Sequence, residues 1–245
     1  MNRDKSITET KRPGRAKKRT TPPKEGFGEF VSPRNSKFKP LTNGQKSLFS
    51  SIKANTLTFA AGPPGTGKSY CSIAAGCEML DSSLIQCIVC VKPFTEIDSE
   101  LGTLPGDKDE KLAVLYNPMR QIFIKMIGKS HYENLIRAEK IIYEPLGSIL
   151  GMTYDNALII MDEAQHSTPS QMKVLLTRLG KDSKAVVCGD YREQKFTDGL
   201  SGMEDALNRL GNKSSVGVVQ FQVDDIVRSD FTKEVILAYR ENEND

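Results

Sequence analysis

One stretch constrains this chain more than any other: Gly62-Pro63-Pro64-Gly65-Thr66-Gly67-Lys68-Ser69. It satisfies G-x-x-x-x-G-K-[ST] at every fixed position. Before it runs a short β-prone segment, Thr56-Leu57-Thr58-Phe59-Ala60, and after it Tyr70 to Leu80 reads as a helix. Strand, glycine loop and helix in that order form the context in which such a motif cradles phosphate. The glycines let the backbone curl with its N–H groups inward, and the helix adds its positive end. Lys68 then reaches the outer phosphates of a nucleoside triphosphate, and the Ser69 hydroxyl ligates Mg²⁺. The expected phosphate cradle is Gly62, Pro63, Pro64, Gly65, Thr66, Gly67, Lys68, Ser69 and Tyr70.

Charge divides the chain in two. Residues 1–40 hold 12 Lys or Arg against 4 Asp or Glu, net +8, whereas 41–245 hold 22 against 27, net −5. The first part also has five prolines, and it reads as a basic disordered tail on a mildly acidic folded domain over 41–245. Such a tail suits a polyanion tether, and a plain solvated linker is the alternative. No run approaches the ~18 apolar residues of a membrane helix, and no apolar core follows the basic N-terminus as in a secretory signal. Five cysteines is an odd number, and Cys87 and Cys90 lie three apart in a strand-like run, which points them to opposite faces. They read as buried hydrophobes rather than a metal or redox pair, which gives an intracellular, cytoplasmic expectation.

Along the folded part, Thr42 to Gln45 has capping-box spacing and opens a helix to about Ala54. Strands are expected at 87–91, 141–143, 157–161, 185–188 and 216–221. Phe94 to Lys108 reads as a shaped loop, followed by helices over 109–127, interrupted by Pro118, and over 130–138. Thr168 caps a further helix, with Pro169 at its first position and Gln171 closing the box. Met172, Leu175, Leu176 and Leu179 mark one face of it. Helices over 201–210 and 230–240 complete the pattern. Strands alternating with helices imply an α/β fold, a parallel sheet with helices on both faces.

The loop needs an acidic partner for its metal. Asp162-Glu163 ends the most hydrophobic strand, where open α/β sheets place their ligands. Asp162 is expected to hold Mg²⁺, and Glu163 to orient and deprotonate the attacking water. A base beside water favours hydrolysis over transfer to an acceptor.

These features carry a resemblance. Asp162-Glu163-Ala164-Gln165, the strand ending Gly189-Asp190, Gln194 beyond it and the 93-residue gap from Ser69 to Asp162 resemble the first motor domain of superfamily 1 helicases. More narrowly, residues 41–240 resemble the PhoH-like, phosphate-starvation-inducible ATPases. The further stretches that carry this are Leu101-Gly102-Thr103-Leu104-Pro105-Gly106-Asp107, Thr168 to Lys173, Leu176-Thr177-Arg178, Ser183 to Asp190 and Asp225-Ile226-Val227-Arg228. The resemblance implies a single RecA-like domain binding ATP and Mg²⁺. It also implies a homo-oligomer such as a hexameric ring, acting near single-stranded RNA or DNA. Lys92-Pro93 stands where the family usually shows Arg-Pro, and His166 where Asn is usual. No nuclease domain of the kind fused to some relatives is expected, and the short, tail-bearing form resembles bacteriophage members.

The resemblance also assigns roles. Gln45 takes the place of the adenine-reading glutamine, with the capping box as its other explanation. Asp190 and Gln194 take the γ-phosphate-sensing positions. Arg228 is the first candidate for an arginine finger and Arg178 the second; a finger acting across a subunit boundary would require an oligomer. Lys92 and the Phe94–Gly106 loop are candidates for nucleic-acid contact. Two other functions share the loop: a nucleotide-dependent assembly switch and a small-molecule kinase, the latter without an evident Arg-rich lid.

Overall fold

The computed structural model describes residues 38–93, 114–190 and 199–241. Most of the tail expected over 1–40, the Phe94–Gly106 loop, the Leu101–Asp107 stretch, the start of the helix expected from Asp109, and Gln194 lie outside the described residues. Phe38, just upstream of the expected start at Leu41, packs its ring 5.2 Å from Phe49 and 5.8 Å from Tyr70.

The described residues form one parallel sheet of six strands: β1 (Leu57–Ala61), β2 (Cys87–Lys92), β3 (Ile141–Pro145), β4 (Ala157–Met161), β5 (Lys184–Gly189) and β6 (Val216–Gln220), in the order β3-β2-β4-β5-β1-β6. Parallel neighbours cannot be joined by tight turns, so the chain crosses over through helices that cover both faces. β1 and β4 are buried at every position, which is why they read as continuous apolar runs.

On one face, Ile88, Cys90, Leu158, Ile160, Val186 and Cys188 pack against α1 (Asn43–Ala54), α2 (Lys68–Asp81), α3 (Asn117–Ile127) and α4 (Lys129–Arg137). On the other, Val89, Val91, Ile159, Met161 and Val187 meet α5 (Pro169–Leu176) and α6 (Gly202–Leu210). Cys90 belongs to the first layer and Cys87 to the second, so the C-x-x-C pair is split across the sheet as its spacing dictates. All five cysteines are free thiols. A final helix, α7 (Asp230–Glu241), follows β6. No helix of the described residues is long and apolar enough to cross a membrane.

Local chemistry sets the helix ends. Thr168 accepts from the Gln171 N–H, and the Gln171 side chain accepts from the Thr168 N–H, a reciprocal cap with Pro169 at the first position. Ser201 accepts from the Glu204 N–H, and Glu204 and Asp205 sit at the positive end of α6. One interruption is met and one helix end shifts. The helical stretch expected over 109–127 is broken at Tyr116, just before Pro118, which sits in the first turn of α3, where a missing N–H costs no helical bond. α5 ends at Leu176, because Thr177 bonds back to the carbonyls of Lys173 and Val174, and Leu179 turns away to bridge Tyr154.

Candidate active site

The carboxyl ends of β1, β2, β4 and β5 share one rim of the sheet, and the glycine loop joins β1 to α2 at that rim. Gly62 has φ 139°, and a Cβ there would meet the Phe221 carbonyl oxygen at 2.6 Å. Both backbone and neighbour therefore demand glycine. Gly67 closes the loop in the left-handed region, φ 86° and ψ 23°, directly before α2. Buried Thr66 donates its hydroxyl to the Pro63 carbonyl at 3.0 Å, while Gln45 donates its side-chain amide to the Thr66 carbonyl at 3.0 Å. Lys68 Nζ donates to the carbonyls of Gly62 at 2.6 Å and Pro63 at 2.8 Å. Burial pulls the Lys68 pKa down, opposed by Cys188 and the acidic side chains of Asp190, Glu163 and Asp162. Loop and lysine thus brace one another.

Asp162 leaves the end of β4 buried, its Oδ1 accepting from the Ser69 hydroxyl at 2.7 Å. Burial first, then the adjacent Glu163, push its carboxyl above the ordinary range; Lys92, the Ser69 hydrogen bond and Lys68 pull the other way. A hydroxyl and a carboxylate oxygen placed together beside a lysine form a hard oxygen pair of the kind Mg²⁺ takes, with phosphate and water completing its shell. Among the described residues no cluster of three or more His, Cys, Asp or Glu side chains suits a metal. The pair Ser69 and Asp162 still fits Mg²⁺.

Glu163 follows in the left-handed region, φ 56° and ψ 41°, with its side chain exposed toward the cleft. A residue with no assigned role in the sequence reading, Gln165, holds it there. Its amide donates to Glu163 Oε2 at 2.8 Å, and its Oε1 accepts from the Asp190 N–H at 3.3 Å. Gln165 is 2% exposed, so its contact with Asp190 is buried and its contact with Glu163 half-buried. Its place in the Asp162–Gln165 motif was the only signal in the sequence.

These groups open into a cleft of about 1540 Å³. Pro64, Gly65, Gly67, Lys68, Ser69, Tyr70, Asp162, Glu163 and Asp190 line it, as do Gln45, Lys92 and Arg228. Gln45 is buried, its Oε1 accepting from the Leu41 N–H at 2.8 Å while its amide holds the loop. Thr42 does accept the Gln45 N–H, but the glutamine side chain does not return to Thr42 to close the box. Arg228 lies against the loop of its own chain, where a Cβ on Gly65 would meet its Cγ at 2.8 Å. Arg178 is elsewhere, near the amino ends of the strands, donating to the Met152 carbonyl and the Thr177 hydroxyl. Lys92, a candidate for nucleic-acid contact, stands in the nucleotide cleft and acts electrostatically on Asp162.

Comparisons with known proteins agree with this arrangement. The model of the PhoH-like protein family matches residues 37–240. A PhoH-like protein of Bacillus subtilis (strain 168) is 34% identical over 219 residues, covering 88% of this chain and 69% of that protein. Protein PhoH of Escherichia coli (strain K12) is 35% identical over 198 residues, covering 80% of this chain and 56% of that protein. Among solved structures, the HK97 bacteriophage large terminase superposes with a TM-score of 0.51 at 11% identity, over 82% of this chain and 47% of that one, a likeness of fold alone. Sheet, phosphate loop and acidic strand end all fall within the matched span, and the chain belongs to the PhoH-like protein family.

Proposed function

We propose that this protein is a Mg²⁺-dependent ATP hydrolase whose turnover is coupled to single-stranded RNA or DNA. The observation that carries the hydrolase reading is the pairing of Asp162 with Ser69 while the neighbouring Glu163 is turned toward the cleft and held by Gln165. A kinase would leave its acceptor, not water, beside that carboxylate. In this reading the loop N–H groups and Lys68 take the phosphates, and Arg228, supplied by the same chain, meets developing charge on the transferred phosphoryl group. Glu163 accepts a proton from the attacking water as the new O–P bond forms and the bond to the ADP oxygen breaks. Bound Mg²⁺ would supply neutralisation of phosphate charge, held through Ser69 and Asp162.

Gln45 would read the base through the second hydrogen of its amide, beyond the one given to Thr66. Asp190, with Gln194 beyond it, would sense the γ-phosphate. Coupling to single-stranded nucleic acid and assembly into a homo-oligomeric ring rest on the family resemblance and on the basic character of residues 1–40.

The test is phosphate release by the full chain at stated salt, with and without poly-U RNA and single-stranded DNA. Glu163→Gln is the control, expected to lose at least about 100-fold in rate while keeping nucleotide affinity. Absence of phosphate release from the parent protein would overturn the hydrolase reading. Release indifferent to either polymer would overturn the coupling. It would point instead to an assembly switch, recognised by a molecular size that differs between ATP and ADP.

A further inference from the structure

Asp225 is a buried carboxylate that the chemistry above does not use. It ends the 3₁₀ turn Val223–Asp225 that follows β6. Its Oδ2 accepts from the Gln222 N–H at 2.9 Å and its Oδ1 from the Gly44 N–H at 3.0 Å, and the Thr42 hydroxyl also donates to it. Burial alone would raise its pKa, but these hydrogen bonds outweigh burial and the net shift is downward. Gly44 and Thr42 form the amino end of α1, whose unpaired N–H groups favour an anion. The fit is close: a Cβ on Gly44 would meet Asp225 Oδ2 at 2.7 Å.

Both sides of this contact lead back to the phosphate loop. From α1, Gln45 holds the Thr66 carbonyl. From the turn, the Val227 N–H donates to the Gly65 carbonyl at 3.0 Å, and Arg228 lies against Gly65. The contacts close a ring that runs from the loop through Gln45 and the start of α1 to Asp225, then through Val227 and Arg228 back to the loop.

We propose that Asp225 is a positioning residue for the nucleotide site, fixing the start of α1 to the segment that carries Arg228, so that Gln45 and Arg228 meet the nucleotide from set sides of the loop. The inference rests on the reading of the cleft as an ATP site. A carboxylate suits the task because two acceptor oxygens serve three donors from two separate segments. An asparagine offers one acceptor oxygen and an alanine none.

The experiment is a double-mutant cycle in the full chain, crossing Asp225→Ala and Asp225→Asn with Arg228→Ala. It is read both by titration of a fluorescent, slowly hydrolysed ATP analogue and by kcat and KM for ATP. Asp225→Ala is expected to weaken analogue binding about tenfold, the scale of losing hydrogen bonds to a charged group, with Asp225→Asn falling between. The double variant is expected to stay within about twofold of the poorer single, because both changes break one arrangement. Effects that multiply, or an Asp225→Ala protein with a lower Tm and unaltered affinity, would overturn the proposal. Where the alanine variant fails to fold, the near-isosteric asparagine carries the cycle, and parental affinity in that variant overturns it. A parent that binds the analogue without releasing phosphate removes the hydrolase reading but leaves this test intact.

Discussion

Asp162 and Glu163 are neighbours in sequence, yet the fold treats them in opposite ways. Asp162 continues the strand, its N–H bonded to the Val91 carbonyl and its carboxyl buried. Glu163 leaves the strand in a left-handed conformation that costs a non-glycine residue about 1–3 kcal/mol. Its carboxylate faces the cleft, and the Gln165 amide fixes it there. The burial that readies Asp162 for a metal also strains the protein without one. Its carboxyl pKa is raised in the fold, by burial and by Glu163, so the folded chain binds that proton more tightly than the unfolded chain does. The ionised form therefore costs stability at neutral pH, and the cost fades as pH falls through the raised pKa toward the unfolded value of about 3.9. Asp162→Asn is accordingly expected to stabilise the metal-free protein by about 1 kcal/mol, raising Tm by about 2–4 °C at pH 7 while abolishing Mg²⁺-dependent hydrolysis. The gap should narrow in acid; a variant that melts below its parent refutes this account. Gln165→Leu tests the other half. The Gln165 amide holds the base, so kcat is expected to drop about 10–100-fold with KM within about twofold.

At the scale of elements, the site depends on how closely α2 lies on the sheet. Gly76 makes that approach possible, since a Cβ there would meet Ile88 Cδ1 at 3.0 Å and Leu158 Cδ2 at 3.2 Å. Gly76→Ala gains about 1 kcal/mol of helix propensity against a contact that the two methyl ends can relieve, so it should be near neutral. Gly76→Val adds branches with nowhere to go and is expected to cost about 1–3 kcal/mol. Melting both variants beside the parent checks this, and a valine variant as stable as the alanine one would show that α2 is free to shift. Elements of this kind were largely legible in the sequence, because their causes are local. β4 announces itself as an apolar run, and Thr168 with Gln171 forms the reciprocal cap that its spacing promises. The same Thr-x-x-Gln spacing at Thr42 and Gln45 misleads. There the glutamine Oε1 accepts from the Leu41 N–H instead of the Thr42 N–H, and the amide is taken by the Thr66 carbonyl, 21 residues away, a partner no local pattern reports. Asp225 and Gly44 lie 181 residues apart, and the strand order is likewise set by packing between distant segments. Motif chemistry could name Lys68, Ser69, Asp162 and Glu163. The residues that hold them, Gln165 and Asp225, needed the fold.

Over the whole molecule, charge is segregated, with net +8 on residues 1–40 and net −5 on the remainder. If single-stranded RNA is the partner, its charge would draw it first to the basic end, whatever site the rest of the chain offers. Affinity alone therefore cannot locate a working site, because counterion release from any cluster of lysines and arginines produces binding. Salt dependence and ATP turnover separate the two contributions. Each phosphate contact on a single strand contributes about −0.7 to the slope of log K against log salt. Replacing Lys11, Arg12, Arg15, Lys17, Lys18 and Arg19 with glutamine in the full chain should then flatten that slope by about 4, if all six engage the strand. Turnover behaves differently when the strand acts on the folded domain. At RNA concentrations high enough to saturate the weakened variant, stimulation of ATP hydrolysis should return to the parental level, because only the encounter has been impaired. Titrations of poly-U at about 50 and 200 mM salt, reading binding and phosphate release from the same samples, supply both quantities. Stimulation that stays absent at saturation would move the coupled RNA site onto the basic segment and leave the nucleotide cleft to a different partner.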